Sequence, residues 1–160
     1  MSKFVFYLKL EPYLKQWLVN SLGSPVQFPA QSNENAVIRS FLQRRPADKA
    51  PELADDDLTA ICIPDSKAKP PVSYNYLGQS AKYAIKETIE DLFRRNMWNE
   101  LNDLTKRPCC LTSVIAAWCE LHGISEEHEE TIRQKFYRMR TAYTEKGINL
   151  GFLTRKRTDE

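Results

Sequence analysis

Residues 111–147 carry the sequence LTSVIAAWCELHGISEEHEETIRQKFYRMRTAYTEKG, which decides how the C-terminal part of this chain folds. Apolar residues recur at helical spacing on both sides of the polar segment 122–125. Gly123 can adopt the left-handed conformation that ends a helix, and Ser125 is a residue type that begins one. The stretch therefore predicts two helices joined by a short turn.

The second helix of this pair is expected to run to about Lys146 and to end at Gly147. Residues that step by four, three and four share one face of a helix, and an apolar series of this kind packs inward. That series consists of Ile132, Phe136, Met139 and Tyr143. The outward face then carries Arg133, Gln134, Tyr137, Arg138, Arg140, Thr141 and Thr144. Arginine and glutamine can contact bases, and tyrosine and threonine can bind phosphate, so this face favours nucleic-acid binding.

Positive and negative charges are separated along this region. Residues 131–157 contain eight Lys or Arg and one acidic residue, whereas residues 120–130 contain five Glu and no Lys or Arg. The formal net charge of +2 conceals this arrangement. The Glu cluster complements the positive end of the second helix, but it would repel phosphate. Contact through the middle of the helix, from Arg133 onward, therefore fits the charges better than insertion of the helix N-terminus into a groove.

Residues 111–147 resemble small bacterial helix-turn-helix DNA-binding proteins, of the kind found as regulators or in mobile elements. The turn HGIS and the helix HEETIRQKFYRMRTAYTEKG carry the resemblance. It implies binding of duplex DNA, often by a homodimer, through Arg133, Gln134, Tyr137, Arg138 and Arg140. Because of their charge, we expect further phosphate contacts from Lys146, Arg155, Lys156 and Arg157.

Two other interpretations of the basic helix are weighed beside DNA or RNA binding. Arginines spaced along a helix also occur on ordinary solvated surfaces. Alternatively, the protein is an adaptor that places the same helix on an acidic protein partner.

The N-terminal part shows alternating and helical patterns in turn. Residues 3–10 alternate, with Phe4, Phe6, Leu8 and Leu10 on one face, which predicts a strand. A helix from Pro12 to Gly23, a possible short strand at 26–28, a second helix from Ser32 or Asn33 and a buried strand at 58–63 follow. The second helix is expected to bury Val37, Ile38, Phe41 and Leu42 and to hold Arg44 and Arg45 in its last turn.

The fold class predicted from these patterns is α+β, with a small mixed α/β module followed by an all-helical module. The expected boundaries are 1–66 for the α/β module, 67–76 for a linker or extended segment, 77–147 for the helical module and 148–160 for a basic tail. The helical module is expected to contain a long helix from Ser80 and another helix that carries Val114, Ile115, Trp118 and Leu121. The first module is a candidate for dimerisation or contact with another protein.

Several functional classes lack support in the sequence. No apolar run approaches the roughly 20 residues that span a bilayer, and no signal peptide is evident, so we expect a cytoplasmic protein with reduced cysteines. No glycine motif for phosphate or dinucleotide binding occurs, and no catalytic signature surrounds any cysteine. We therefore predict no enzymatic activity, no cofactor and no small-molecule substrate.

The cysteines and histidines raise the question of a metal site. Their spacing is poor for structural zinc, because Cys109 and Cys110 are adjacent while Cys119 and His122 lie on one predicted helix. Free cysteines that pack as small apolar residues are the favoured interpretation. The aromatic first strand could stack on single-stranded RNA, but packing in a sheet or core is favoured for it as well.

Overall fold

The computed structural model describes residues 4–106 and 108–145, and it shows an α+β protein whose C-terminal part is helical, as predicted. In chain order the elements are β1 (Val5–Leu8), α1 (Pro12–Leu22), α2 (Asn33–Phe41), β2 (Gln43–Arg44), β3 (Thr59–Cys62), β4 (Tyr74–Tyr76), α3 (Gln79–Leu104), α4 (Leu111–Leu121), the 3₁₀ helix Glu126–His128 and α5 (Glu129–Glu145). No helix among the described residues is both long enough and apolar enough to cross a membrane.

The described residues group into two compact units that divide between Asp91 and Leu92, inside α3. We call them the N-terminal unit and the C-terminal unit. Residues 74–76, within the predicted linker or extended segment, form β4 and pair with β2. That residues 1–66 fold as a module by themselves stays a prediction.

The N-terminal unit contains two small antiparallel sheets. β1 pairs with β3, so that Val5 lies opposite Cys62 and Leu8 lies opposite Thr59. Phe6 and Leu8 are buried, which confirms the alternating strand, whereas Phe4 precedes β1 and is 40% exposed. The possible strand at 26–28 is reduced to one parallel bridge, between Val26 and Ile61.

Local signals explain the ends of α1 and the beginning of α2. Pro12 occupies the first turn of α1, where its missing N–H is not needed, and Gly23 ends the helix with a φ of 83°. Ser32 caps α2, because its hydroxyl accepts a hydrogen bond of 3.2 Å from the Asn35 amide. Both helices therefore begin as the sequence predicts.

The end of α2 differs from the prediction. The helix ends at Phe41, which is 42% exposed rather than buried, and Leu42 turns the chain with an extended backbone. Arg44 consequently belongs to β2 instead of the last turn of α2, and its guanidinium lies 4.9 Å from the ring centre of Tyr74 in β4. The two residues after Leu42 thus pair with a strand that is distant in sequence.

Aromatic side chains form much of the core of the C-terminal unit. The ring centres of Phe93 and Trp118 lie 6.0 Å apart in an edge-to-face arrangement, and those of Trp98 and Phe136 lie 5.4 Å apart. These pairs join the second half of α3 to α4 and α5. Such contacts stabilise a core beyond the area that the rings bury.

Not every large apolar residue of α4 faces the core. Ile115, Trp118 and Cys119 are buried as a stripe, but Leu121 is 71% exposed. Since each residue turns a helix by about 100°, Leu121 lies to one side of this stripe. Ile124, after the end of α4, is buried in its place.

Candidate nucleic-acid interface

The turn between α4 and α5 uses glycine as predicted, but α5 begins later than expected. Gly123 has a φ of 72°, and the amide of Ile124 donates to the Cys119 carbonyl over 2.8 Å. Ser125 precedes the 3₁₀ helix Glu126–His128, and its side chain does not cap that helix. Ser125 therefore begins a 3₁₀ turn rather than capping α5 itself.

The inward face of α5 is the one that its apolar spacing predicts. Ile132 and Phe136 are fully buried, and Met139 and Tyr143 are half-buried. The Trp98 ring centre lies 5.4 Å from that of Phe136 and 5.0 Å from that of Tyr143. These contacts fix the rotation of α5 about its axis, and with it the residues that point outward.

Between Glu130 and Glu145, which lie at the two ends of the same face, four residues with exposed polar groups lie on the opposite side of α5. We call this set the α5 outer surface, and its members are Gln134, Tyr137, Arg138 and Thr141. Tyr137 is 41% exposed although it is aromatic. The set combines one cation with three side chains able to donate hydrogen bonds, which are the groups that contact a phosphate backbone.

Arg133 lies at the edge of this surface and is held by its neighbours. Its guanidinium forms an ion pair with Glu130, and Nη1 lies 3.4 Å from the Thr112 hydroxyl of α4. Gln134 also donates to the Glu130 carboxylate, over 3.2 Å. The Glu130 carboxylate therefore binds both Arg133 and Gln134, the two residues in the first half of α5 that were predicted to contact DNA.

Arg140 is half-buried against aromatic rings instead of extending freely outward. Its guanidinium carbon lies 5.2 Å from the ring centre of Tyr137 and 5.7 Å from that of Phe136. A cation held over a ring is attracted by the electrons of the ring face. Arg140 therefore supports the position of Tyr137 and adds positive charge beneath it.

The remaining predicted contacts fall outside the described residues. These are Lys146, Arg155, Lys156 and Arg157. Within α5, no acidic residue occurs between Glu130 and Glu145, whereas Arg133, Lys135, Arg138 and Arg140 are basic. The positive charge of the described interface thus lies in the middle and the second half of α5.

The candidate metal ligands are distributed over different environments. Cys109 and Cys110 are exposed, whereas Cys119 is buried. Burial, and then the nearby Glu129 carboxylate, raise the pKa of the Cys119 thiol to about 11. Among residues 4–106 and 108–145, no three His, Cys, Asp or Glu side chains group closely enough to hold a metal ion.

His122 belongs to a small polar cluster inside the C-terminal unit. Its Nε2 lies 3.0 Å from Glu100 Oε1, and this oxygen accepts a hydrogen bond of 3.3 Å from the Trp118 indole N–H. The rings of His122 and Trp118 lie 4.6 Å apart between centres. These contacts tie the end of α4 to α3, which is a structural role.

Comparison with known proteins found no matching family model, no matching curated protein and no matching solved structure. The resemblance to helix-turn-helix proteins therefore stays a prediction.

Sequence reasoning missed that Glu130 holds Arg133 and Gln134. The signal was present, because residues three and four positions apart are neighbours on a helix and opposite charges at these spacings attract. Glu130 precedes Arg133 by three residues and Gln134 by four. The charges of residues 131–157 alone do not reveal this pairing, because Glu130 lies just before that range.

Proposed function

We propose that this protein binds duplex DNA without catalysing a reaction, and that it does so through the middle and the second half of α5. The observation that carries the proposal is the exposure of Arg138 and Tyr137 opposite the buried Phe136. Phe136 holds the helix in place, so the outward groups are presented from a rigid element. A regulatory role, a homodimeric state and a cytoplasmic location belong to the same proposal.

Arg138 supplies the main electrostatic contact in this arrangement. Its side chain is exposed, and a guanidinium can donate two parallel hydrogen bonds to one phosphate. The Tyr137 hydroxyl and the Thr141 hydroxyl stand on the same side of α5 and can donate to neighbouring phosphate oxygens. The predominance of such groups supports backbone contact more than reading of base sequence.

The N-terminal end of α5 is unsuited to close approach by DNA. Glu126, Glu127 and Glu130 are exposed there, and their carboxylates would repel phosphate. Arg133 offsets part of this charge through its ion pair with Glu130. The proposed orientation therefore directs the second half of α5 toward the duplex and turns its first turn away.

Fluorescence anisotropy with a labelled duplex, repeated at several salt concentrations, tests this proposal. Each phosphate that the protein neutralises should steepen the plot of log K against log salt by about 0.9. The proposal is abandoned if the intact protein binds no duplex at low salt. Unlabelled poly-glutamate serves as a competitor: preferential binding of this acidic peptide would favour the adaptor interpretation and contradict DNA binding.

A further inference from the structure

The N-terminal unit contains a groove of about 560 Å³ that lies between a strand and a helix. Its strand side includes Tyr7, on the outward face of β1, and Lys9, which continues that face beyond the strand. Its helix side consists of one face of the first turns of α3, namely Gln79, Lys82, Tyr83 and Lys86. The spacing of three, one and three residues places these four side chains together along the groove.

The charge of the groove is positive. Three lysines and one carboxylate line it, and that carboxylate, Glu52, forms an ion pair of 2.6 Å with Lys82. Among the described residues, Lys9 and Lys86 form no ion pair with a carboxylate, so both amino groups are available to a ligand. A groove with two such cations attracts an anionic chain that runs along it.

Tyr83 gives the groove a second kind of contact. Its side chain is 66% exposed and lies between Lys82 and Lys86 on the same helix. An exposed ring between cations contributes little to a protein core, but it offers a flat surface for stacking. Unpaired nucleic-acid bases stack on such rings while lysines contact the phosphates between them.

We infer that this groove binds single-stranded nucleic acid, with a base stacked on Tyr83 and phosphates contacted by Lys9 and Lys86. An acidic peptide would satisfy the lysines but would leave the exposed ring unused. A duplex keeps its bases paired and stacked inside, so it cannot supply an unpaired base for Tyr83. The inference is independent of duplex binding by α5, because the two surfaces share no residue.

The test uses the full chain and a fluorescein-labelled oligothymidylate of about 12 nucleotides, a length within the range that single-strand-binding domains cover. The intact protein should bind this probe at low salt. Tyr83→Ala should weaken binding by about fivefold or more, as expected for the loss of one stacked base. Tyr83→Phe, which keeps the ring, should bind like the intact protein.

Charge variants distinguish binding in the groove from nonspecific electrostatic attraction of nucleic acid to a basic protein. Lys86→Gln should reduce the salt slope by about 0.7, the value for one phosphate contact on a single strand. Lys67→Gln makes the same charge change at an exposed position outside the groove, and it should leave the slope unchanged.

Three results would overturn the inference. The first is no binding of the oligothymidylate at low salt. The second is equal binding by the intact protein, Tyr83→Ala and Lys86→Gln. The third is displacement of the probe by poly-glutamate together with an unchanged affinity of Tyr83→Ala, which would assign the groove to an acidic peptide. Failure of duplex binding alone leaves these results unaffected, so the two proposals fail separately.

Discussion

The two ends of α5 carry the same basic residue type in opposite situations. At the first end, Arg133 is paired with Glu130, and exposed carboxylates lie in the preceding turn. In the second half, Arg138 is exposed, and no acidic residue follows it before Glu145. The two arginines thus differ in whether a neighbouring carboxylate already pairs with them, and the number of arginines alone does not reveal this difference.

The largest expected effect is on stability and concerns Phe136, the buried residue in the middle of α5. Phe136→Ala should lower the free energy of unfolding by about 3–5 kcal/mol, because it removes a fully buried ring beside Trp98. Urea denaturation followed by circular dichroism measures the change. Tyr137→Ala is the matched control, since it removes an aromatic ring from the exposed side of the same helix turn. Equal losses for both variants would show that the assigned faces of α5 are wrong.

An intermediate effect should distinguish the two arginines by their DNA affinity. Arg138→Gln should weaken duplex binding by roughly tenfold, equivalent to about 1.4 kcal/mol, and should lower the salt slope by about 0.9. Arg133→Gln removes the same charge but should change both quantities less, because Glu130 already holds that guanidinium. Anisotropy titrations of the two variants against one duplex give the comparison. A larger loss for Arg133→Gln would reverse the proposed orientation of α5.

The smallest expected effect is on stability and compares an exposed residue of α4 with a buried one. Leu121→Ala should change the free energy of unfolding by no more than about 0.5 kcal/mol, because the side chain is 71% exposed. Ile115→Ala, in the buried stripe of the same helix, should cost about 2–5 kcal/mol. Thermal or urea unfolding of the two variants measures the difference. Similar costs at both positions would mean that Leu121 is covered in solution.

The sequence predicts the long elements of this molecule and the buried face of α5. Ile132 and Phe136 are buried as expected, and α1 occupies the residues between Pro12 and Gly23. These features follow from apolar spacing and from residues with strong local preferences. Both kinds of signal lie within a few residues of the structure that they determine.

The missed features depend on parts of the chain that are distant in sequence. β2 contains two residues and exists because it pairs with β4, so no local pattern marks it. The exposure of Phe41, the last residue of α2, was also missed. At the candidate site, the exposed positions of α5 were predictable, whereas the use of Arg140 against Tyr137 required the side-chain positions.

The placement of the cysteines provides a way to observe each unit separately. Cys62 is buried in the N-terminal unit and Cys119 in the C-terminal unit, and burial raises the pKa of both thiols. A maleimide reacts with accessible thiolate, so each buried cysteine is modified only when its surroundings open. The exposed pair, Cys109 and Cys110, reacts without such opening and serves as an internal reference. The labelling rates of Cys62 and Cys119, measured by mass spectrometry, therefore report how often each unit opens locally. No reporter group has to be introduced for this measurement.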